Sequence, residues 1–149
     1  MFDIHVKYTM NTPIEVAFET LSQHAQYGEF KAVKYAALIE QGTTELNGVG
    51  ALREVHVGPL QLMERITVFE RPTRLDYHIE SAKPVKITHQ IGSIQLTKVD
   101  ENNTDVNWIS QGNIHMPLLG WLIDKKFSRD GATGFLSLLK QIERDNKAA

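Results

Sequence analysis

From residue 33 to residue 115 the chain contains no amphipathic stretch long enough for a helix, only strand-like runs broken by turn residues. The runs fall near 33–41, 49–57, 60–70, 74–81, 85–98 and 104–115, joined by turns rich in Gly, Pro and Asn such as Gly58-Pro59, Arg71-Pro72-Thr73 and Ala82-Lys83-Pro84. A seventh strand opens the chain, where Phe2, Ile4, Val6, Tyr8 and Met10 alternate strictly with Asp3, His5, Lys7 and Thr9. Thr12, Pro13 and Glu15 then read as N-cap, first helical residue and capping-box acid of a short helix whose apolar side is Val16, Ala17, Phe18 and Leu21. A second short helical piece is expected over 23–29. After Pro117 the period changes: Ala132, Phe135, Leu138, Leu139 and Ile142 mark one face of a single long helix over about 118–145.

This order constrains the architecture. Seven antiparallel strands need their apolar face covered, and the last helix is the one large cover available. The expected class is therefore α+β, a β-α-α-β6-α chain whose seven-stranded antiparallel sheet wraps around the C-terminal helix. A twisted sheet curved round one helix has more concave surface than the helix can fill, so the remainder is either side-chain core or a cavity.

At 149 residues the chain is expected to form a single domain over 1–146, with a frayed tail at 147–149. It has no cysteine, which excludes disulfides, zinc-thiolate sites and thiol nucleophiles. A formal charge of −2 disfavours nucleic acid as a partner, since phosphate contacts need clustered cations. No apolar run reaches the roughly 18 residues of a membrane span, and the start does not resemble a signal peptide. A cytoplasmic protein without stable membrane insertion, monomer or homodimer, is the expectation.

Hairpin arithmetic locates candidate site residues. A tip at Gly58-Pro59 sets Val57 opposite Leu60, Val55 opposite Leu62, Arg53 opposite Glu64 and Ala51 opposite Ile66, so an otherwise apolar face carries one opposed charge pair. A turn at Arg71-Pro72 sets Val68 opposite Leu75 and Ile66 opposite Tyr77. In the next strand Val85, Ile87, His89 and Ile91 share a parity that Ile94 and Leu96 continue after a slip, for which Gly92 is the natural bulge. Leu96 then pairs with Val106 and Ile94 with Trp108. The inner face thus collects Arg53, Glu64, Tyr77, His89 and Trp108, either as a self-satisfied structural network or as ligand contacts.

Several motifs lead nowhere. Gly48-Val49-Gly50 lies between strands and opens no helix, so it is a turn and not a phosphate loop. The six histidines show no metal-ligand spacing, there is no Gly-x-Ser-x-Gly elbow, and neither a metal nor a cofactor is expected. Lys125, Lys126 and Arg129 read as a solvated helix face. The segment from His115 to Ile123 points its apolar residues in too many directions for a half-buried helix start, which suits a lid, a dimer patch or a membrane-touching edge, with Trp121 as its largest side chain. Small residues at Gly131 and Gly134, on the Phe127 and Leu138 side of the helix, would leave room for a guest.

Taken together, Thr12 to Phe18, Gly48 to Arg53, Glu64 to Pro72 with Leu75 and Tyr77, Gly92 to Leu96, Thr104 to Trp108 and the closing Leu-rich helix resemble the START-like, Bet v 1-like (SRPBCC) helix-grip superfamily. Within it, the chain is most similar to the bacterial polyketide cyclase/dehydrase branch. The resemblance spans nearly the whole chain. It implies a deep hydrophobic cavity between sheet and C-terminal helix, used for lipids, quinones, polyketides or other apolar molecules. It implies no single activity, because carriers, sensors, cyclases, hydrolases and chaperone activators share the fold. No catalytic signature maps onto these residues. The leading expectation is a carrier or sensor of a small apolar ligand contacted by Arg53, Glu64, Tyr77, His89, Trp108, Trp121, Phe127 and Gly131. The alternatives are a cyclase or dehydratase using Glu64 or His89 as base with Arg53 or Tyr77 at an enolate oxygen, and a protein-interaction module using the 118–123 patch.

Overall fold

The computed structural model describes residues 1–148. Strand β1 (Phe2–Met10) is followed by helix α1 (Ile14–Ser22), a 3-10 helix (His24–Glu29), strands β2 (Tyr35–Glu40), β3 (Leu52–Val57), β4 (Leu60–Glu70), β5 (Arg74–Lys83), β6 (Lys86–Asp100) and β7 (Asn103–His115), and helix α2 (Gly120–Ala148). The strands form one antiparallel sheet in the order β1-β7-β6-β5-β4-β3-β2. Helix α2 runs on through Lys147 to Ala148, past the expected end near 145, and Ala149 of the expected frayed tail lies outside the described residues.

Where the alternation is unbroken the register is as expected. Val57 pairs with Leu60, Val55 with Leu62 and Arg53 with Glu64, because the two-residue tip at Gly58, with φ of 53°, gives a tight hairpin. Ala51 accepts the Ile66 N–H at 2.9 Å, continuing the ladder. Ile94 pairs with Trp108 and Leu96 with Val106.

Three details differ from the sequence reading, and each has a local cause. Val68 faces Asp76 rather than Leu75, because a bulge between Ile66 and Val68 inserts one residue and turns Phe69 toward Leu75 and onto the Phe18 ring at 5.2 Å. The slip in β6 falls between His89 and Ile91, not at Gly92, so Ile91 turns outward and is 43% exposed. Gly92 is buried instead, beneath the β5 backbone: a Cβ there would lie 2.5 Å from the Tyr77 carbonyl oxygen and 2.6 Å from His89 Cε1. Thr12 does not cap α1. Its carbonyl accepts the Thr104 hydroxyl at 2.7 Å, its own hydroxyl is buried without a partner, and Pro13 takes the N-cap position.

Two apolar clusters form the core. One joins α1, the 3-10 helix and the C-terminal half of α2 through Phe18, Leu21, Ile66, Leu75, Ile94, Leu139 and Ile142. The other, with Phe2, Ile4, Leu62, Ile79 and Ile114, lies under the N-terminal half of α2. The long helix is tied to β1 near both ends. Asp124 accepts the Ile114 N–H at 3.1 Å and the Met1 ammonium at 2.8 Å, and Ser128 Oγ accepts the Asp3 N–H at 2.8 Å. Fifteen or so residues further on, Glu143 accepts the Tyr8 hydroxyl at 2.9 Å and the Asn11 N–H.

The close approach at Gly92 makes Gly92→Ala the sharpest test of the β5–β6 geometry. Overpacking against backbone atoms should cost about 1–3 kcal/mol in urea unfolding, whereas Gly58→Ala should cost only the left-handed backbone strain of about 1–2 kcal/mol. A Gly92→Ala melt indistinguishable from wild type would show that the bulge relaxes freely.

Candidate functional site

Between the two core clusters, under the middle of α2, lies a cavity of about 420 Å³. Its walls come from Val55, Leu62, Ile79 and Ile114 on the sheet and from Ile123, Phe127, Phe135 and Leu138 on the helix, so they are mainly apolar. Its mouth lies between the exposed hairpin tips Gly58-Pro59 and Pro84-Val85, Met116 at the end of β7, and Lys126 and Asp130 on α2. Arg53, Glu64, Tyr77, Trp108, Phe127 and Gly131 all line it, as do Tyr27 and Ser110.

The closed end is built on one buried guanidinium. Arg53 is 2% exposed and its Nε donates to Glu64 Oε1 at 2.8 Å, as cross-strand register requires. Its Nη1 donates to His24 Nδ1 at 3.1 Å, and His24 Nε2 donates in turn to the Asn47 carbonyl at 2.9 Å, which fixes the neutral tautomer. The guanidinium carbon lies over two aromatic rings, 4.5 Å from the Tyr27 centroid and 5.3 Å from that of Tyr77. Burial would lower the guanidinium pKa, but the Glu64 carboxylate and the two phenols outweigh it and the net shift is upward. Burial, with the Arg53 charge beside it, lowers His24 to about 3. Tyr77, raised well above its ordinary value chiefly by burial, accepts the Trp108 indole N–H at 2.9 Å, and Trp108 stacks on Phe135 of α2 at 3.9 Å.

Two of the expected contacts lie elsewhere. His89 is buried behind the wall, its ring 5.7 Å from Tyr77 and 6.4 Å from Phe2. Beyond Asp76 and Ser93 the β5–β6 ladder opens, and His89 Nδ1 accepts the Ile79 N–H at 3.0 Å while Nε2 bonds Ser110 Oγ at 2.9 Å. The ring thus substitutes for a strand carbonyl and has no free nitrogen for base chemistry, and burial lowers its pKa to about 4. Trp121 is 70% exposed on the outer face of α2, and neither it nor Leu118 reaches the cavity.

Gly131 does border the void but is not open: a Cβ there would collide with Ile4 Cδ1 and sit 3.0 Å from Cγ1. At Gly134 a Cβ would meet nothing nearer than Ala32 Cβ at 4.0 Å. Sequence reasoning missed His24 and Tyr27. A signal was present, since a guanidinium has five N–H donors and one carboxylate cannot satisfy them, so another acceptor had to come from the short helices at that end of the sheet.

A seven-stranded antiparallel sheet gripping a C-terminal helix over an apolar cavity is the START-like, Bet v 1-like helix-grip fold. Solved structures bear this out along nearly the entire chain. The ZhuI aromatase/cyclase from Streptomyces sp. R1128 superposes with a TM-score of 0.75 at 15% identity, covering 95% of this chain and 93% of that one. A START superfamily protein from Mycobacterium smegmatis gives 0.75 at 9% identity, covering 95% and 99%. One domain of the aromatase/cyclase BexL gives 0.70 at 14% identity, covering 96% of this chain and 47% of that one. No family model matches the sequence, and no curated protein matches it.

Replacing Arg53 by Met should leave the Glu64 carboxylate buried without its partner and cost about 3–5 kcal/mol in urea unfolding, while Arg53→Met with Glu64→Gln should recover part of that loss. A single variant as stable as wild type would mean that the carboxylate reaches water. The histidines set a pH dependence of the opposite sense to that of a histidine held charged in an ion pair. Both are held neutral in the fold at about 3 and about 4 against 6.5 unfolded, so the unfolded chain binds protons first and stability falls as pH drops below 6.5. Replacing His24 by Gln should flatten the slope of unfolding free energy between pH 6.5 and the carboxylate range by up to about one proton.

Proposed function

We propose that this chain binds an uncharged, largely apolar small molecule, of the lipid, quinone or polyketide kind, in the cavity under α2, and acts as its carrier or sensor. The observation that carries the reading is an apolar void whose buried charges balance one another. Arg53 is balanced by Glu64, His24 is neutral, and the Tyr77 hydroxyl is engaged by Trp108. A carboxylate brought to the closed end would find no uncommitted cation and would lose its hydration without return. A neutral ring or chain gains from the aliphatic walls and from the stacked Trp108 and Phe135. A charged head is compatible only at the mouth, near Lys126.

A cyclase or dehydratase is the second reading. It is supported by Arg53, Glu64 and Tyr77 facing one void, and by fold likeness to proteins described as aromatase/cyclases. His89 cannot serve as its base, because both ring nitrogens are bonded behind the wall.

Native mass spectrometry and thermal-shift screening against fatty acids, quinones and aromatic polyketides should find stabilisation by uncharged members in preference to short carboxylates. Gly134→Leu should fill the void, keep or slightly raise stability by up to about 1 kcal/mol of helix propensity, and abolish that stabilisation. No bound species and no shift with any compound would remove the basis of this reading. Turnover of a polyketide-like substrate that Glu64→Gln eliminates would establish the second.

A further inference from the structure

We propose that the rim of the cavity mouth is a docking surface for an anionic lipid bilayer, with Leu118, Leu119, Trp121 and Leu122 entering the interface and Lys125, Lys126 and Arg129 meeting the phosphates. The four apolar residues are consecutive but for Gly120, and their exposures are 95%, 52%, 70% and 47%. Such a projecting cluster gains nothing in water and marks a surface made to be covered. Leu118 also holds a φ of 68°, a left-handed backbone unusual for a leucine, which turns its side chain into solvent instead of back onto the fold.

The charge around the cluster selects the partner. One helical turn further along α2 stand the exposed cations Lys125, Lys126 and Arg129, and the neighbouring hairpin carries exposed Lys83 and Lys86 beside the mouth residues Pro84 and Val85. Two acids lie among them: Asp124 binds the Met1 ammonium and the Ile114 N–H, and Asp130 pairs with Lys126 and lies 3.6 Å from Arg129, so it offsets one helix cation and leaves the group with a cationic excess. The chain as a whole has a formal charge of −2, so this end is locally cationic against an acidic remainder. A second copy docked on the same patch would oppose like charges. A bilayer interface accepts such projecting apolar side chains without shape complementarity and supplies phosphates to the cations. The surface alone supports this inference, and its test is independent of what occupies the cavity.

Co-sedimentation with vesicles of phosphatidylcholine, and of phosphatidylcholine mixed with phosphatidylglycerol, decides it. Wild type should pellet with the anionic vesicles and not the neutral ones, and should be released as salt is raised well above physiological strength. Trp121 emission should shift to the blue on binding, a change absent in Trp121→Phe. Charge reversal at Lys125, Lys126 and Arg129 should lower partitioning roughly tenfold or more, and Trp121→Glu with Leu122→Glu should abolish it. All five positions are exposed or peripheral to the core, and thermal melts check that the variants fold. The composition and salt arms use only the unaltered protein. Failure to bind either vesicle overturns the proposal, as does binding indifferent to lipid charge. A dimer seen by light scattering without lipid, and split by Trp121→Glu, would assign the patch to a second copy instead.

Discussion

A guanidinium cannot be buried without counter-charge and acceptors, and the way this chain meets that requirement for Arg53 organises the closed end of the molecule. The carboxylate of Glu64 comes from the paired strand, the neutral nitrogen of His24 from the 3-10 helix, and the two aromatic faces from Tyr27 and Tyr77. Four separate segments are thereby drawn to one point. His24 in turn ties down the long β2–β3 connection through the Asn47 carbonyl. The cluster is electrically neutral as a whole, which is what makes an apolar void beside it tolerable.

The second constraint is the mismatch between one helix and seven strands. Helix α2 is fastened near its start to β7 through Asp124 and to β1 through Ser128, near its end to β1 through Glu143, and is also held by Gln141, which bonds the Lys31 N–H and the Glu29 carbonyl. Polar clamps at the ends free the middle of the helix from having to fill the concavity. Gly131 brings α2 close to Ile4, and Gly134 leaves space beneath it, so two glycines one helical turn apart do opposite things. The void therefore reflects where the helix is held, as much as which side chains face it.

These two constraints meet at the mouth. The clamped start of α2 carries its cavity-lining residues, Ile123 and Phe127, on one side and its exposed apolar and basic residues on the other. An exposed apolar and basic surface and an apolar void thus lie on opposite sides of the same stretch of helix.

Element order, strand number, the Arg53–Glu64 pairing and the inward set of Tyr77 and Trp108 were legible in the sequence, because alternation has a period of two and a tight hairpin carries that period across the turn without loss. Phe127 and Gly131 could likewise be assigned to the cavity side of the last helix from its 3.6-residue repeat. Bulges break this logic. The slip at Thr67 left no mark on the local pattern and misplaced Val68. The slip in β6 showed as a change of parity before Ile94, but its position, at Gln90 and not Gly92, depends on how His89 and Gly92 pack, which misplaced Ile91. His89 was assigned to the correct face but the wrong role, since an opening between β5 and β6 exists only once the sheet has twisted. Trp121 illustrates the converse: its segment was recognisably abnormal, yet whether it covered the cavity or faced away depended on the backbone at Leu118. The sequence by itself determined which residues share a face, because that follows from backbone periodicity. Only the tertiary structure decided which of them meet a void, because empty space depends on where the helix is anchored and on close contacts such as Gly131 with Ile4 that no local pattern encodes.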